Sequence, residues 1–478
     1  MPYIQWKDEF IGKSMPHSEQ RREQLQQEFK RTDSVAPGQD PVLMKHQKMA
    51  MNPFRFLRGS SGLFYADIKN SVLKLPELLT TKIPLTCVVG DCHLSNFGFF
   101  TEEGSSGNRV IFAPNDFDDA CVGHAVWDWS RFAISILLAA DYCQGLKQQR
   151  YANESKFEPD SLQVVSAKEA IFAVHSFLTA YTRQCQALVS DPELRYSVLD
   201  DFPKNHVLKP VLKKAIKRSA QGEDFLRKST LAKVADLSVR PLKFKQDPNK
   251  FSCLSPELYK DVEFSFRPYV SDDILDIVAR QGAGTGSLNM QRYYLLVGPS
   301  QMKSEEDLAL CHLVEAKQQR DAAPLYFFPE LSPVNRLNAA HLTVDCQRLM
   351  QRRPDLVLDE HYWNGSHYLV RSLHHANVDL DPEDVCFAEK APEQKLVEYA
   401  EACGRALALA HSRGDRRSVC FEQAVVKYLP KAMDELVHAC IDYAEQQKAD
   451  CELLSALLSQ SLDADSSSET GLDSGGQG

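Results

Sequence analysis

The stretch from Asp273 to Gln319 constrains the fold of this chain more than any other. DILDIVAR leads into GAGTGS, then MQRYYLLVG, a polar turn and LALCHLVEAKQQ. Strand, glycine loop, strand, turn and strand is the pattern of a small antiparallel sheet. HYWNGSHYLVRSL adds a strand pair, with a hairpin signal at Asn364 and Gly365. Elsewhere the apolar spacing is helical, over 18–33, 125–142, 167–188, 338–352 and 393–457. The expected fold class is α+β with a helical C-terminal part.

At 478 residues the chain exceeds one ordinary domain, so two or three lobes are expected. A net charge of −10 argues against a nucleic-acid partner, which would need a basic surface. The longest apolar run in a helical pattern, 132–140, is too short to span a bilayer, so no membrane partner is expected. The opening MPYIQWKDEF lacks the basic start and apolar run of a secretory signal. Thirteen cysteines are scattered with no C-x-x-C pair, which reads as reduced, mostly buried thiols in the cytoplasm.

Chemistry concentrates in VVGDCHLSNFGFF, a polar turn between two apolar runs. Asp91 and Asn96 stand in the D-x-x-x-x-N spacing of a phosphotransferase catalytic loop. There the aspartate takes or orients the acceptor proton and the asparagine oxygen holds magnesium. NDFDDA follows the next predicted strand, and Asp116, with Asp118 assisting, is the candidate for a second metal ligand. Clustered carboxylates such as Asp116, Asp118 and Asp119 repel one another unless a cation is near. Gly282, Gly284 and Gly286, with Thr285 and Ser287 between and beside them, would let backbone N–H groups approach phosphate oxygens. A strand follows and no G-K-[ST] closes the loop, so it is neither a dinucleotide fingerprint nor a P-loop. Lys317, on the strand after that hairpin, would reach the phosphates and pair with an acid, Asp345 on the next helix or, less well, Glu330. His93 is expected to brace its turn, as a histidine beside a strand commonly does. Asp128 would hydrogen-bond the catalytic-loop backbone from below, and Arg58 and Arg131 are read as structural ion-pair partners. His124 carries no role beyond structure, and His411 belongs with the apolar face of its helix.

The parts stand in an unusual order, because Asp91, Asn96 and Asp116 precede the glycine loop and Lys317. A circular permutation would account for that, since compact folds with nearby termini tolerate it. Taken in series, GDCHLSNFG, NDFDDACVGHAVWDWSRFA, GTGSLNMQRYYLLV, LVEAKQQ, CQRLMQ, YLVRSL and CGRALALAHSRGD resemble the bacterial family known as domain of unknown function 2252, over about 52–454. That family is regarded as similar to the protein-kinase-like and aminoglycoside-phosphotransferase-like fold. The resemblance implies that Asp91, His93, Asn96, Asp116 and Asp128 match the G-D-x-H-x-x-N, I-D-F-x-D-A and helix-aspartate pattern of the latter. Two motifs depart from the family pattern: Gln318 and Gln319 replace the usual Glu-Ala after the lysine, and Asn289 replaces a glycine.

The expected organisation is an N-terminal helical segment over 1–50, a catalytic-loop and metal-binding lobe over 51–265, and a nucleotide-covering lobe over 266–375. Helices over 376–460 would pack on the catalytic lobe, and the polar, acidic tail 461–478 would be disordered. The expected function is ATP- and Mg2+-dependent phosphoryl transfer to an unknown small-molecule or protein hydroxyl. The alternatives are a nucleotide-binding pseudokinase, an AMP-transferring relative and, behind these, a metal-dependent phosphoesterase.

Overall fold

Alternation of side chains decides how the principal sheet is covered, and the computed structural model shows both faces buried. The description covers residues 19–39, 41–103, 109–153, 157–220, 222–281, 290–302, 304–414 and 418–469. The strands that matter are β1 (Thr86–Val88), β2 (Phe97–Thr101), β3 (Val110–Pro114), β4 (Cys121–Gly123), β5 (Phe251–Ser252), β6 (Asp273–Arg280), β7 (Arg292–Gly298), β8 (His312–Gln318), β9 (Leu358–Trp363), β10 (Ser366–Leu373) and β11 (Asn377–Asp379). The main helices are α1 (Glu19–Asp33), α2 (Ala125–Lys147), α3 (Ala167–Ser190), α4 (Ala339–Met350), α5 (Pro392–Gly414) and α6 (Cys420–Glu469).

Six strands form the large sheet in the order β9–β10–β8–β7–β6–β5, and every pairing in it is antiparallel. Successive residues of a strand point to opposite faces. Leu296 and Leu313 therefore join one apolar cluster with Phe225, Leu231 and Phe244, while Leu295, Val297, Val314 and Ala316 join another with Val262 and Phe266. The hairpin between β9 and β10 turns at Asn364 and Gly365, with φ of 49° and 77°, as a primed two-residue turn requires.

The rest is a helical core; of the small sheets, one pairs β1 with β4 and another is ordered β11–β2–β3. α2 is buried on nearly every side, as an apolar-all-round helix must be. Around it pack α3, α5 and α6, in one continuous core that also takes in Leu342, Cys346 and Met350 of α4. The architecture is mixed α+β with a C-terminal helical part. The large sheet reaches back through β5 and through helix Pro256–Phe266, whose Val262 and Phe266 pack on it, into the span assigned to the catalytic lobe. α6 runs on to Glu469, past the expected start of the tail, because lengthening a formed helix needs no new nucleus. All thirteen cysteines are free thiols, and only Cys253 and Cys420 are exposed. Among the described residues no helix is long and apolar enough to cross a membrane.

Candidate active site

Residues three, four and seven apart share one face of a helix, and α2 uses this to hold the turn that follows β1. Asp128, Arg131 and Ser135 form a polar stripe on a mostly apolar helix. Asp128 accepts from the backbone N–H of Val89 at 2.7 Å and of Gly90 at 3.0 Å. Arg131 Nε donates to Asp91 Oδ1 at 2.6 Å, and its Nη2 donates to the Leu57 carbonyl at 2.7 Å. Ser135 Oγ accepts from the Leu94 N–H at 2.9 Å. The turn is thus tied at successive points along its length to a buried helix.

A second tier fixes Asp128 itself. His411 Nε2 donates to Asp128 Oδ2 at 3.0 Å, while the Tyr181 hydroxyl lies 2.8 Å from His411 Nδ1. Both side chains of the Asp128–His411 pair are fully buried. His411 is therefore not one more residue of an apolar face, as its sequence Ala-Leu-Ala-Leu-Ala-His implies. It is a buried polar group whose only compatible partners are an acid and a hydroxyl.

Within the turn, Asn96 Nδ2 donates to the Asp91 carbonyl at 2.7 Å, which leaves the amide oxygen free to accept. His93 acts through its backbone, its carbonyl accepting from Asn96 N–H at 2.9 Å. Its ring does not brace the turn: Nδ1 is buried without a hydrogen-bond partner, and Nε2 stands 3.9 Å from Asp91 Oδ2. Burial, then the positive Arg58 and Arg131, hold the imidazole well below its ordinary pKa, so it is neutral. Asp91 keeps 23% side-chain exposure. Removal from water still pushes its carboxyl up to about 6, against Arg131 and with help from Asp119 and Asp116.

The acidic turn after β3 lies directly on this loop. Gly90, at φ 81°, passes so close that a Cβ there would stand 1.9 Å from the Asp119 carbonyl oxygen. The acids of the turn are not equivalent. Asp119 is buried and takes Arg320 in a bidentate pair at 2.7 and 3.0 Å, plus the Ala323 N–H at 2.8 Å. Burial opposes its ionisation, but Arg320 and that N–H hold its pKa below the ordinary value. Asp118 takes Lys317 in a close ion pair and the Gln319 amide at 3.3 Å. Asp116 has no cation partner among the described residues; its Oδ1 accepts only the Asp118 N–H, at 3.3 Å.

The opposing wall comes from the large sheet. Alternate positions of β8 place Leu313, Glu315 and Lys317 on one face. Arg292 lies opposite Lys317 in register and Arg371 opposite Glu315. Glu315, 1% exposed, takes both arginines, at 3.1 and 3.0 Å. Lys317, equally buried, is pushed down to about 7 by loss of water, with Asp116 opposing and Arg371 and Arg320 adding repulsion. Its partner is not Asp345, which sits on α4 and pairs with His341 at 3.2 Å. Nor is it Glu330, which pairs with Arg336. The fold brings the acidic turn face to face with β8, so the lysine meets Asp118 first.

Asp91, His93, Asn96, Asp116, Asp118 and Lys317 thus line one cavity of about 190 Å3. Asp128 and Arg131 lie behind it, and Asp345 lies apart from it. The glycine loop, with Gly282, Gly284, Thr285, Gly286 and Ser287, falls outside the described residues, as does Asn289. The same cavity is lined by Arg58, Arg292, Arg320 and Arg371, of which the sequence singles out only Arg58. Among the described residues no group of three or more histidines, cysteines and acids is set to hold a metal by itself.

A family model described as an uncharacterized protein conserved in bacteria (DUF2252) matches residues 39–153 and 162–456. No curated protein and no solved structure matches the chain.

Proposed function

The chain belongs to the bacterial DUF2252 family, and for this member we propose an ATP- and magnesium-dependent phosphotransferase of permuted kinase-like fold, acting on a hydroxyl acceptor. One observation carries the reading: Lys317 forms an ion pair across the cavity with Asp118, a residue 199 positions earlier in the chain. A buried lysine on an antiparallel strand thereby faces the acids and the D-x-x-x-x-N turn that phosphoryl transfer uses. The late arrival of the lysine strand in the chain is what a permutation would produce.

The donors available suit magnesium, which takes one or two carboxylates and completes its shell with water and phosphate oxygens. Asp116, without a cation partner, and Asn96, with only its amide oxygen unengaged, would hold it. Held by these residues, magnesium would supply positive charge against the phosphate groups. Lys317 would exchange Asp118 for phosphate oxygens, and its low intrinsic pKa would rise on meeting that negative charge. Asp91 receives the acceptor proton as the acceptor oxygen–phosphorus bond forms and the bond to the leaving ADP breaks. A carboxyl near 6 is basic enough to take the proton and is ionised at neutral pH. Arg131 fixes the orientation of Asp91, and the Asp128–His411 pair holds the turn beneath it.

Thermal-shift titration with Mg-ATP tests this reading. Wild type is expected to shift, and Asp116→Ala and Lys317→Ala are each expected to lose the shift, whereas Asp91→Asn retains it and loses γ-phosphoryl transfer. Unaltered shifts in both the Asp116 and Lys317 variants would overturn the assignment. Label transferred from the α- rather than the γ-phosphate would move it to AMP transfer.

A further inference from the structure

A second cavity, of about 50 Å3, opens from Asp91 on the side away from β8, toward α1 and the helices that follow it. It shares Asp91, Arg58 and Arg320 with the first, so Asp91 stands where two arms meet. The charges lining the second arm are nearly all matched within the protein. Lys45 pairs with Asp33 at 2.6 Å, Arg320 with Asp119, Arg131 with Asp91, and Arg31 pairs with Glu28 while stacking on the Tyr326 ring at 4.0 Å. Arg58 is the exception. It sits on helix Pro53–Gly59, half-buried and over the Phe54 ring at 5.9 Å, with no ion pair among the described residues. Asp379 and Asp381 feel its charge without forming an ion pair with it.

A guanidinium that lines the cavity without a carboxylate at contact distance keeps its donors available, and an incoming oxyanion would engage them in charge-assisted hydrogen bonds. We infer that Arg58 binds an anionic group of the acceptor, a carboxylate or phosphate monoester, in the second arm, and so directs the acceptor hydroxyl toward Asp91. This rests on the phosphotransferase reading for the identity of the acceptor, but not for the anion site. The arm, of about 50 Å3, has room for a small anionic group.

Inorganic phosphate serves as the probe, titrated by calorimetry into the full chain with and without saturating magnesium and a non-hydrolysable ATP analogue. Phosphate is expected to bind the nucleotide-loaded protein at one site. Arg58→Gln should weaken that binding about tenfold or more, Arg58→Lys should weaken it less, and both should leave affinity for the analogue unchanged. Competition between phosphate and the analogue would overturn the inference by assigning Arg58 to the nucleotide phosphates. Wild-type phosphate affinity in Arg58→Gln, with an unaltered melting temperature, would overturn it as well. If the analogue fails to bind wild type, the phosphotransferase reading falls, and the nucleotide-free titration alone decides whether Arg58 holds an anion.

Discussion

The two walls of the cavity are built on different principles. The wall carrying Asp91 is secured from behind: α2 reaches Val89, Gly90, Asp91 and Leu94 in turn, and His411 secures α2. None of those contacts crosses the cavity. The wall carrying Lys317 is secured within its own sheet through Glu315, Arg292 and Arg371, but Lys317 finds its carboxylate only by crossing to Asp118. One wall is preorganised by its own core. The other holds its buried cation in an ion pair that crosses the cavity. The proposed phosphoryl transfer would use both arrangements, one to hold a base still and one to let a cation exchange its partner.

The comparison predicts that stability and ligand binding separate by wall. The largest effect is expected from Asp128→Ala, which leaves the Val89 and Gly90 N–H groups and His411 without their acceptor inside the core. Equilibrium urea unfolding should show a loss of about 3 kcal/mol or more, the scale of stranding several buried donors. A loss under about 1 kcal/mol would mean that the turn does not depend on α2.

Gly90→Ala attacks the same wall through its contact with the acidic turn. The residue must keep φ near 81°, and the new Cβ would meet the Asp119 carbonyl. Left-handed backbone and clash together should cost about 2–3 kcal/mol. Because the two turns must part, the thermal shift on adding Mg-ATP should fall as well. A variant as stable as wild type would show that the close approach is not required.

How much of this was legible follows from the range over which each signal acts. The strands β6, β7 and β8, the Asn364–Gly365 hairpin and the helix begun at Ala125 carry their signals within a few neighbouring residues. The expected D-x-x-x-x-N turn and the acidic turn likewise lie close together in the chain, and their aspartates line one cavity. What escaped was set by partners far away. β2 is buried at every position and shows no alternation, and its partner β11 comes from the far side of the large sheet. His411 closes a run of alanine and leucine, so only the arrival of Asp128 and Tyr181 reveals it as a buried polar group. The pairing of Lys317 with Asp118 rather than Asp345 depends on how the sheet sits against the turns, which no local pattern encodes. The same holds for Arg320 and Arg371, whose acids are known only once the walls face each other.

The titration of Asp91 sharpens the comparison from the other direction. As the base of the proposed reaction, its carboxyl, raised to about 6, would have to be ionised to accept a proton, so kcat/KM should rise with pH and level off above about 6. Below that, the rate should fall about tenfold per pH unit. The linkage for folding runs oppositely. The group's folded-state pKa lies above the ordinary 3.8, so its contribution to stability is fully present below about pH 3.8 and is lost as pH rises through about 6. A pH–rate profile without a limb near 6 would remove Asp91 as the base.

The smallest effect on stability is expected at the second wall. Lys317→Met replaces a buried ammonium by an apolar chain of similar length, so the desolvation cost of the charge disappears together with its ion pair. Asp118 retains 23% side-chain exposure and the Gln319 amide, so it can be rehydrated rather than stranded. The change in unfolding free energy should stay within about 1 kcal/mol, while the Mg-ATP thermal shift is lost. Asp128→Ala should unfold the site, and Lys317→Met should leave it folded and unable to hold nucleotide. If Lys317→Met instead destabilises as much as Asp128→Ala, the ion pair across the cavity is a structural strut, and the lysine is not held in reserve for a phosphate.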